Sequence, residues 1–178
     1  MVLYAAPWNT RDSVKFFREN FFGIYSWIVG TKLSMEVRDI VLPQMKHMLS
    51  EEDYNAYKSG LDNNRRGLTG LDEHVYVKMF GFKDVWHYYD YISLSDKVAK
   101  IRIPTFCLGA CDDQITDNKV TPRKMVSASG SNVCVAMTDY GAHCCHMIGP
   151  IIPKSWYPYP CMEFIEFLES RRRPYSES

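Results

Sequence analysis

Apolar runs and polar connections alternate through the last third of the chain in the order that a parallel α/β sheet requires. IPTFCLGA (103–110) reads as a buried strand, and SNVCVAMT (131–138) reads as a second one. The connection DNKVTPRKMVSAS (117–129) between them has helical character, and the apolar-patterned PCMEFIEFLESRRR (160–173) predicts a closing helix. A chain that runs strand, helix, strand, loop, helix is typical of the α/β class. The opening VLYAA (2–6) predicts one more strand, which ends before Pro7.

The middle of the chain has helical periodicity instead. The pattern over residues 11–60 predicts three successive helices. Pro43 interrupts the second one (34–49), and the third begins after the capping residue Ser50. We interpret the aromatic stripe at 14–28 as core packing, because apolar side chains at helical spacing are usually buried. The segment LDNNRRGLTGLDE (61–73) is rich in turn formers and predicts a loop, and a further helix is expected from Asp84.

Composition and charge narrow the functional classes. Apolar residues make up 46% and charged residues 24% of the 178-residue chain, as in ordinary globular domains. The 21 basic and 21 acidic side chains cancel, which argues against a nucleic-acid partner and against electrostatic recruitment to an anionic membrane. Arg171–Arg173 complements the end of the closing helix. No secretory leader or membrane span is recognisable, and six irregularly spaced cysteines indicate a reduced, intracellular protein.

Candidate chemistry follows the two predicted strands. Asp112 and Asp113 come after the first strand, and His143 comes after the second, in Gly141-Ala142-His143. Because the carboxyl ends of parallel strands lie at one edge of a sheet, a carboxylate and an imidazole placed there can meet as an acid–base pair. Two simpler alternatives remain open: paired aspartates are common in turns, and a single loop histidine is often only a polar surface residue.

The stretch TDYGAHCCH (138–146) also has to be tested as a metal site. Zinc ligands come in pairs separated by two to four residues, and Cys144 and Cys145 are adjacent, with no second ligand pair elsewhere in the chain. A cysteine nucleophile beside His143 is also disfavoured, because neighbouring loop residues rarely place sulfur and imidazole in contact. We therefore predict no metal and no cofactor, and we interpret Cys144, Cys145 and His146 as bystanders.

Several segments, taken in order, resemble AB hydrolase family four, the abhydrolase-domain esterases and lipases of the α/β-hydrolase superfamily. They are PWN (7–9), MFGF (79–82) before a helix that carries Tyr88 and Tyr89, IPTFCLGACDD and TDYGAHCCHMIG. The resemblance implies a partial α/β-hydrolase fold: the last parallel strands of the sheet, flanking helices and a helical cap segment. It implies one truncated domain over 1–178, a cap-like segment at 11–75 that could offer apolar surface to an acyl chain, and a polar tail at 174–178. It also implies that Asp113 is the triad acid and His143 the triad base.

The chain departs from that family pattern in two ways. The family nucleophile lies in a G-x-S-x-G turn, and no such motif occurs here; SASGS (127–131) lies in a polar turn before a strand, which is the wrong context. The oxyanion-hole loop is likewise not found, so the resemblance is to the C-terminal half, as in a truncated product, an isoform or a partial gene model. Ala142 also replaces the second glycine of the family's Gly-Gly-His, and it would be strained if the backbone there adopts a positive φ.

Two functional hypotheses follow from the resemblance. The first is a serine hydrolase of small-molecule carboxylic esters, especially lipids, in which Asp113 and His143 assist a serine outside this chain. Membrane association is then expected through the full-length protein. The second is a catalytically inactive fragment that acts as an interaction module or has no folded role, because a sheet that lacks its first strands leaves an open edge.

Overall fold

The computed structural model describes residues 1–127 and 130–171. Ala128 and Ser129 of the SASGS segment, Arg172 and Arg173 of the basic triplet, and the predicted polar tail at 174–178 lie outside the described residues. The chain divides into two compact units: a sheet unit made of Met1–Trp8 and Ser95–Ser178, and a helical unit, Asn9–Leu94. The helical unit therefore extends beyond the 11–75 segment expected from the sequence and includes the helix that follows Asp84.

Three parallel strands form the centre of the sheet unit. They are β1 (Val2–Tyr4), β2 (Thr105–Ala110) and β3 (Val133–Thr138), in the spatial order β1-β2-β3. The register pairs Thr105 with Val133 at one end of β2 and β3, and Ala110 with Thr138 at the other. The last residues of β2 and β3 are therefore level, and the loops that follow them start side by side.

The central strand β2 is buried on both faces, which is the usual condition of a strand in a parallel sheet. On one face Phe106 and Leu108 pack against Cys161 and Phe164 of the closing helix α9 (Pro158–Ser170). The rings of Phe106 and Phe164 stack with centroids 5.5 Å apart. The mixed α/β class predicted from the sequence is confirmed, and the parallel sheet with flanking helices is consistent with a partial α/β-hydrolase fold.

A second, two-stranded sheet follows the loop after β3. Its antiparallel strands are β4 (Met147–Ile148) and β5 (Lys154–Ser155), with Met147 opposite Ser155. The sequence predicts only a loop between the second strand and the closing helix and does not predict this hairpin, because two-residue strands carry almost no periodic pattern. The connection between β2 and β3 is helical only in short turns, a 3-10 turn at Asn118–Val120 and α8 at Arg123–Val126.

The helical unit contains short helices joined by 3-10 and π turns. Its α-helices are α1 (Thr10–Glu19), α2 (Ile24–Glu36), α3 (Leu42–Met45), α4 (Glu51–Asp62), α5 (Leu68–Asp72), α6 (Lys78–Phe80) and α7 (Val85–Ile92). Side-chain caps begin three of them, since Asn9, Ser50 and Asp84 each accept a hydrogen bond from a backbone amide of the first turn of α1, α4 and α7. Two π turns, Val37–Val41 and Glu73–Val77, follow α2 and α5. No helix among the described residues is both long and apolar enough to cross a bilayer.

The predicted loop at 61–73 is wrong for most of its length. Helix α5 and the π turn after it occupy Leu68–Val77, and only the segment around Gly67, with φ of 61°, is a turn. Gly70, which suggested a loop, is a packing residue instead, because a Cβ on it would lie 1.9 Å from Asn64 Oδ1. Gly30 in α2 has the same role opposite α5, since a Cβ on it would lie 1.9 Å from the Leu68 nitrogen. Glycine permits close approach as well as turns, and the sequence does not distinguish the two.

The prediction that the whole aromatic stripe at 14–28 packs in the core is also wrong. Phe17 is buried, but Phe22 is 99% exposed, and Phe21 and Trp27 are about half exposed. The helix that the pattern predicted breaks at Phe21–Gly23, where three consecutive residues have positive φ. This break rotates the second half of the stripe, so one continuous apolar face does not form.

A buried carboxyl in the helical unit is held by a tyrosine. Asp72 is only 8% exposed, and its Oδ2 accepts a 2.5 Å hydrogen bond from the Tyr89 hydroxyl. Burial raises the pKa of Asp72 to about 6, and the hydrogen bond from Tyr89 only partly opposes this effect. Because the folded-state pKa lies above the ordinary aspartate value of 3.8, the charged carboxylate costs stability. The cost is absent below about pH 4, grows as the pH rises from about 4 to about 6, and is constant above that range.

We predict that Asp72→Asn raises the free energy of unfolding at pH 8 by roughly 1–2 kcal/mol and has little effect at pH 4. The asparagine oxygen can still accept from Tyr89, and the buried charge is removed. Urea unfolding at both pH values measures the effect. Asp90→Asn, at a position that is 56% exposed, is the matched control and should change stability by less than about 1 kcal/mol. Equal effects of Asp72→Asn at the two pH values would contradict the prediction.

Candidate active site

Asp113 is fixed in the turn that follows β2. Its Oδ1 accepts hydrogen bonds from the backbone amides of Ile115 (2.7 Å) and Thr116 (2.9 Å). These bonds close an Asx-type turn, so the turn role that competed with the catalytic one is also present. The second carboxylate oxygen, Oδ2, points to the loop after β3, and the side chain is only 3% exposed.

His143 lies in the loop that follows β3, and its Nδ1 is 2.9 Å from Asp113 Oδ2. The imidazole is 33% exposed, so the ring remains accessible while Nδ1 is engaged. If Nδ1 donates this hydrogen bond, Nε2 is the nitrogen with a free lone pair. The structure thus brings together the two residues that the sequence analysis selected, at the distance that an acid–base pair requires.

The charge state of Asp113 reflects two opposing effects. Burial acts to raise the pKa of its carboxyl, but hydrogen bonds from the His143 ring and from two backbone amides outweigh burial and hold the pKa below its usual value. The group is therefore a carboxylate at neutral pH. A buried carboxylate beside an imidazole favours the Nδ1–H tautomer and stabilises an imidazolium when Nε2 accepts a proton.

Asp112 has a different function from its neighbour. Its Oδ1 accepts a 2.8 Å hydrogen bond from the backbone amide of Ala142, one residue before His143. The two adjacent aspartates therefore contact the same loop at two points, Asp113 through a side chain and Asp112 through the backbone. Sequence reasoning missed this anchoring role, since adjacent aspartates give no indication of which partner each will find.

His146 is not the bystander that the sequence suggested. It is 4% exposed, its Nδ1 lies 2.8 Å from the Tyr4 hydroxyl, and its Nε2 lies 2.8 Å from Thr138 Oγ1. Thr138 Oγ1 also lies 2.9 Å from the Tyr140 carbonyl oxygen. All four groups are satisfied when Tyr4 donates to Nδ1, Nε2 donates to Thr138, and Thr138 donates to the carbonyl. His146 thus ties the His143 loop to β1 and β3.

The position of His146 explains the glycine of the loop. A Cβ on Gly141 would lie 2.5 Å from two atoms of the His146 ring, so any larger residue would displace the ring or the loop. The next residue, Ala142, has φ of 44°, and Cys144 has φ of 64°. Ala142 is therefore strained in the way anticipated for the missing second glycine, at a cost of about 1–2 kcal/mol. The Asp112 and Asp113 hydrogen bonds hold the strained loop in place.

The two cysteines of this loop differ from the pair in their surroundings. Cys144 and Cys145 are exposed. Partial desolvation of the Cys144 sulfur, together with the nearby Asp113 carboxylate, raises the pKa of the Cys144 thiol. A raised pKa keeps the thiol protonated and poorly nucleophilic. Across the described ranges, 1–127 and 130–171, no group of three or more histidine, cysteine or acidic side chains is arranged to hold a metal ion.

Two cavities lie near the ends of the strands, one against Asp113 and one that neither Asp113 nor His143 lines. One of about 20 Å³, the size of a single water, lies beside Asp113 and the ends of the strands. The other is an open cleft of about 280 Å³ between the His143 loop and the β4–β5 hairpin. Its walls include Tyr140, His146, Ile148 and Trp156, so aromatic and aliphatic side chains form much of its lining.

Strand-end placement of a carboxylate and a histidine is the arrangement expected of an α/β-hydrolase. Protein abhd-3.2 of Caenorhabditis elegans is 33% identical to the chain over 149 residues, which cover 82% of this chain and 36% of that protein. The chain thus spans about a third of the length of the curated relative it matches. The name of the relative denotes an abhydrolase-domain protein, which supports a link of this chain to the α/β-hydrolase family. No family model matches the chain. No solved structure matches it either.

We predict that Ala142→Gly stabilises the protein by roughly 0.5–1 kcal/mol, because glycine adopts the positive φ without strain and loses only part of this gain to unfolded-state entropy. Chemical denaturation measures the change. Ala136→Gly, inside β3, is the matched control and should destabilise by a similar amount. If Ala142→Gly destabilises the protein as much as Ala136→Gly does, then Ala142 is not strained and the prediction is wrong.

Proposed function

We propose that the chain supplies the acid and the base of a serine hydrolase that cleaves carboxylic esters, with lipid esters as the substrate class. Asp113 is the acid and His143 the base. The observation that carries the proposal is the 2.9 Å hydrogen bond between a 3% exposed carboxylate and a solvent-accessible imidazole. The nucleophilic serine is not provided by this chain, which contains no G-x-S-x-G motif.

In the proposed mechanism, His143 Nε2 takes the proton from the serine hydroxyl as its oxygen attacks the ester carbonyl. The resulting imidazolium is stabilised by the Asp113 carboxylate and then gives its proton to the departing alcohol, leaving an acyl-enzyme. Water attacks the acyl-enzyme with His143 again as base, which releases the acid and restores the serine. Asp113 stays ionised throughout, in agreement with the lowered pKa of its carboxyl.

The lipid class is supported by apolar space in the helical unit. A cavity of about 190 Å³ there is lined by apolar side chains, and both π turns contribute to its wall. Its lining is formed by Val37, Val41, Leu42, Met45, Leu49, Tyr57, Leu61, Val75, Tyr76 and Met79. Apolar cavities of this size stay dry and accept hydrocarbon groups. An ester with a long acyl chain suits such a unit better than a short polar ester does.

A non-catalytic interaction module is the second candidate. The observation in its favour is that β1 is hydrogen-bonded to β2 alone among the described strands, so one side of β1 is open to pairing with another strand. The missing serine motif also favours it. The two candidates predict different results when another chain supplies the serine. A hydrolase needs the Asp113–His143 pair for turnover, and an interaction module does not.

The test is a hybrid in which this chain replaces the matching region of Protein abhd-3.2. We predict that the hybrid hydrolyses long-chain nitrophenyl esters and is labelled by a fluorophosphonate. We expect His143→Gln and Asp113→Asn each to lower kcat by on the order of 10³–10⁴-fold, with a smaller effect on KM, because they act on proton transfer. His47→Gln and Asp139→Asn, at exposed positions, are the matched controls and should leave kcat within about twofold.

Two outcomes would contradict the proposal. A folded hybrid without turnover, or one indifferent to His143→Gln, would favour the interaction module. The 178-residue chain by itself should show neither turnover nor fluorophosphonate labelling. Labelling mapped to one of its own serines would disprove the assignment of the nucleophile to a residue outside the chain.

A further inference from the structure

An apolar tip projects from the sheet unit next to the His143 loop. The hairpin tip, residues 149–153 (GPIIP), connects β4 to β5. Ile151 is 88% exposed and Ile152 is 74% exposed, and Met147 and Ile148 in β4 are about half exposed. Leaving two adjacent isoleucines in water is unfavourable, and exposed apolar patches are common at interaction surfaces.

The hairpin tip is held firmly by the candidate active site. The Trp156 amide, directly after β5, donates a 2.7 Å hydrogen bond to the carbonyl of His146. His146 is itself buried against Tyr4 and Thr138. Gly149 has φ of 101°, and a Cβ there would lie 2.9 Å from the Ile152 carbonyl oxygen, so the turn is tight. The two isoleucines therefore lie on a turn that hydrogen bonds and a tight backbone conformation hold in place.

The charge pattern around the hairpin tip suits a lipid surface. No acidic residue occurs from Tyr140 to Met162, and Lys154 is the one lysine or arginine in that range. Tyr140 and Tyr159 are exposed near the hairpin, and tyrosine favours the boundary between lipid and water. A carboxylate-free, weakly basic segment avoids repulsion by phosphate headgroups.

The backbone of the hairpin tip also suits a water-poor environment. Pro150 and Pro153 have no amide hydrogen, so two of the five residues bring no donor that must lose its water. Unpaired donors are costly in a medium without water, and this composition lowers that cost. Prolines also restrict the turn, which reduces the entropy lost when it is immobilised.

The size of the hairpin tip argues for a bilayer and against a protein partner. A stable protein interface covers about 800 Å² on each partner, and a five-residue convex turn supplies only a fraction of that area. A bilayer needs no complementary pocket, because lipids flow around an inserted side chain. We propose that the hairpin tip inserts Ile151 and Ile152 into the surface of a zwitterionic phospholipid bilayer.

Insertion of the hairpin tip does not require ester hydrolysis, so the two proposals can be tested separately. Its consequence for catalysis rests on the proposed function: the bilayer surface would then lie at the His143 loop, next to the 280 Å³ cleft. Lipid esters would reach the pair from the membrane rather than from solution.

Flotation of the 178-residue chain with phosphatidylcholine vesicles tests the proposal, since protein that merely aggregates stays at the bottom of the gradient. We expect Ile151→Ser/Ile152→Ser to lower the partition coefficient at least about tenfold, because two isoleucines no longer enter the bilayer. Ile151→Leu/Ile152→Leu should bind like the parent. Ile103→Ser/Ile165→Ser removes two exposed isoleucines elsewhere in the sheet unit and is the matched control, with unchanged binding.

Every other outcome counts against insertion. A parent chain that does not float, or equal losses in the hairpin and control variants, overturns it. Binding that requires phosphatidylserine and disappears in about 0.5 M salt shows headgroup attraction instead. A chain that elutes as a dimer and becomes monomeric in Ile151→Ser/Ile152→Ser shows that the hairpin tip joins two copies. Circular dichroism of each variant confirms that loss of binding is not loss of folding.

Discussion

The level ends of β2 and β3 are the constraint on which the rest of the candidate site depends. Because Ala110 pairs with Thr138, the turns that begin at Cys111 and Asp139 start at the same height of the sheet. A shift of one residue in this parallel register would move one strand end by about 3.3 Å, which exceeds the tolerance of a hydrogen bond. The contact between Asp113 and His143 is therefore a consequence of sheet pairing, and local loop preferences alone do not produce it.

A second layer of polar contacts keeps the His143 loop in an unfavourable backbone conformation. Ala142 and Cys144 both have positive φ, and the amide of Ala142 is held by Asp112. The ring of His146 fixes the end of this loop through hydrogen bonds with Tyr4 and Thr138. Each such bond contributes about 1 kcal/mol to stability. Strain on both sides of His143 is thus offset by bonds from β1, from β3 and from the turn after β2, a pattern common at functional sites. The same residue, His146, supports the hairpin next to the site.

The sequence allowed the parallel strands and the closing helix to be predicted from local apolar patterns. It also allowed the juxtaposition of Asp113 with His143 to be predicted, because parallel pairing brings the ends of neighbouring strands to one edge of the sheet. It did not reveal the role of His146, whose hydroxyl partner Tyr4 lies 142 positions away. It also misled at Gly70 and in the aromatic stripe. There the outcome depended on how closely helices approach and on a backbone break at Phe21–Gly23, which are tertiary effects.

The protonation pattern of the His143 ring tests the central claim most directly. Nitrogen-15 NMR of the neutral imidazole distinguishes its two tautomers. Donation to Asp113 predicts a proton on Nδ1, a bare Nε2, and loss of this preference in Asp113→Asn. A proton on Nε2 with a bare Nδ1 in the parent chain would contradict the account, because His143 could then neither donate to Asp113 nor accept a proton from a serine.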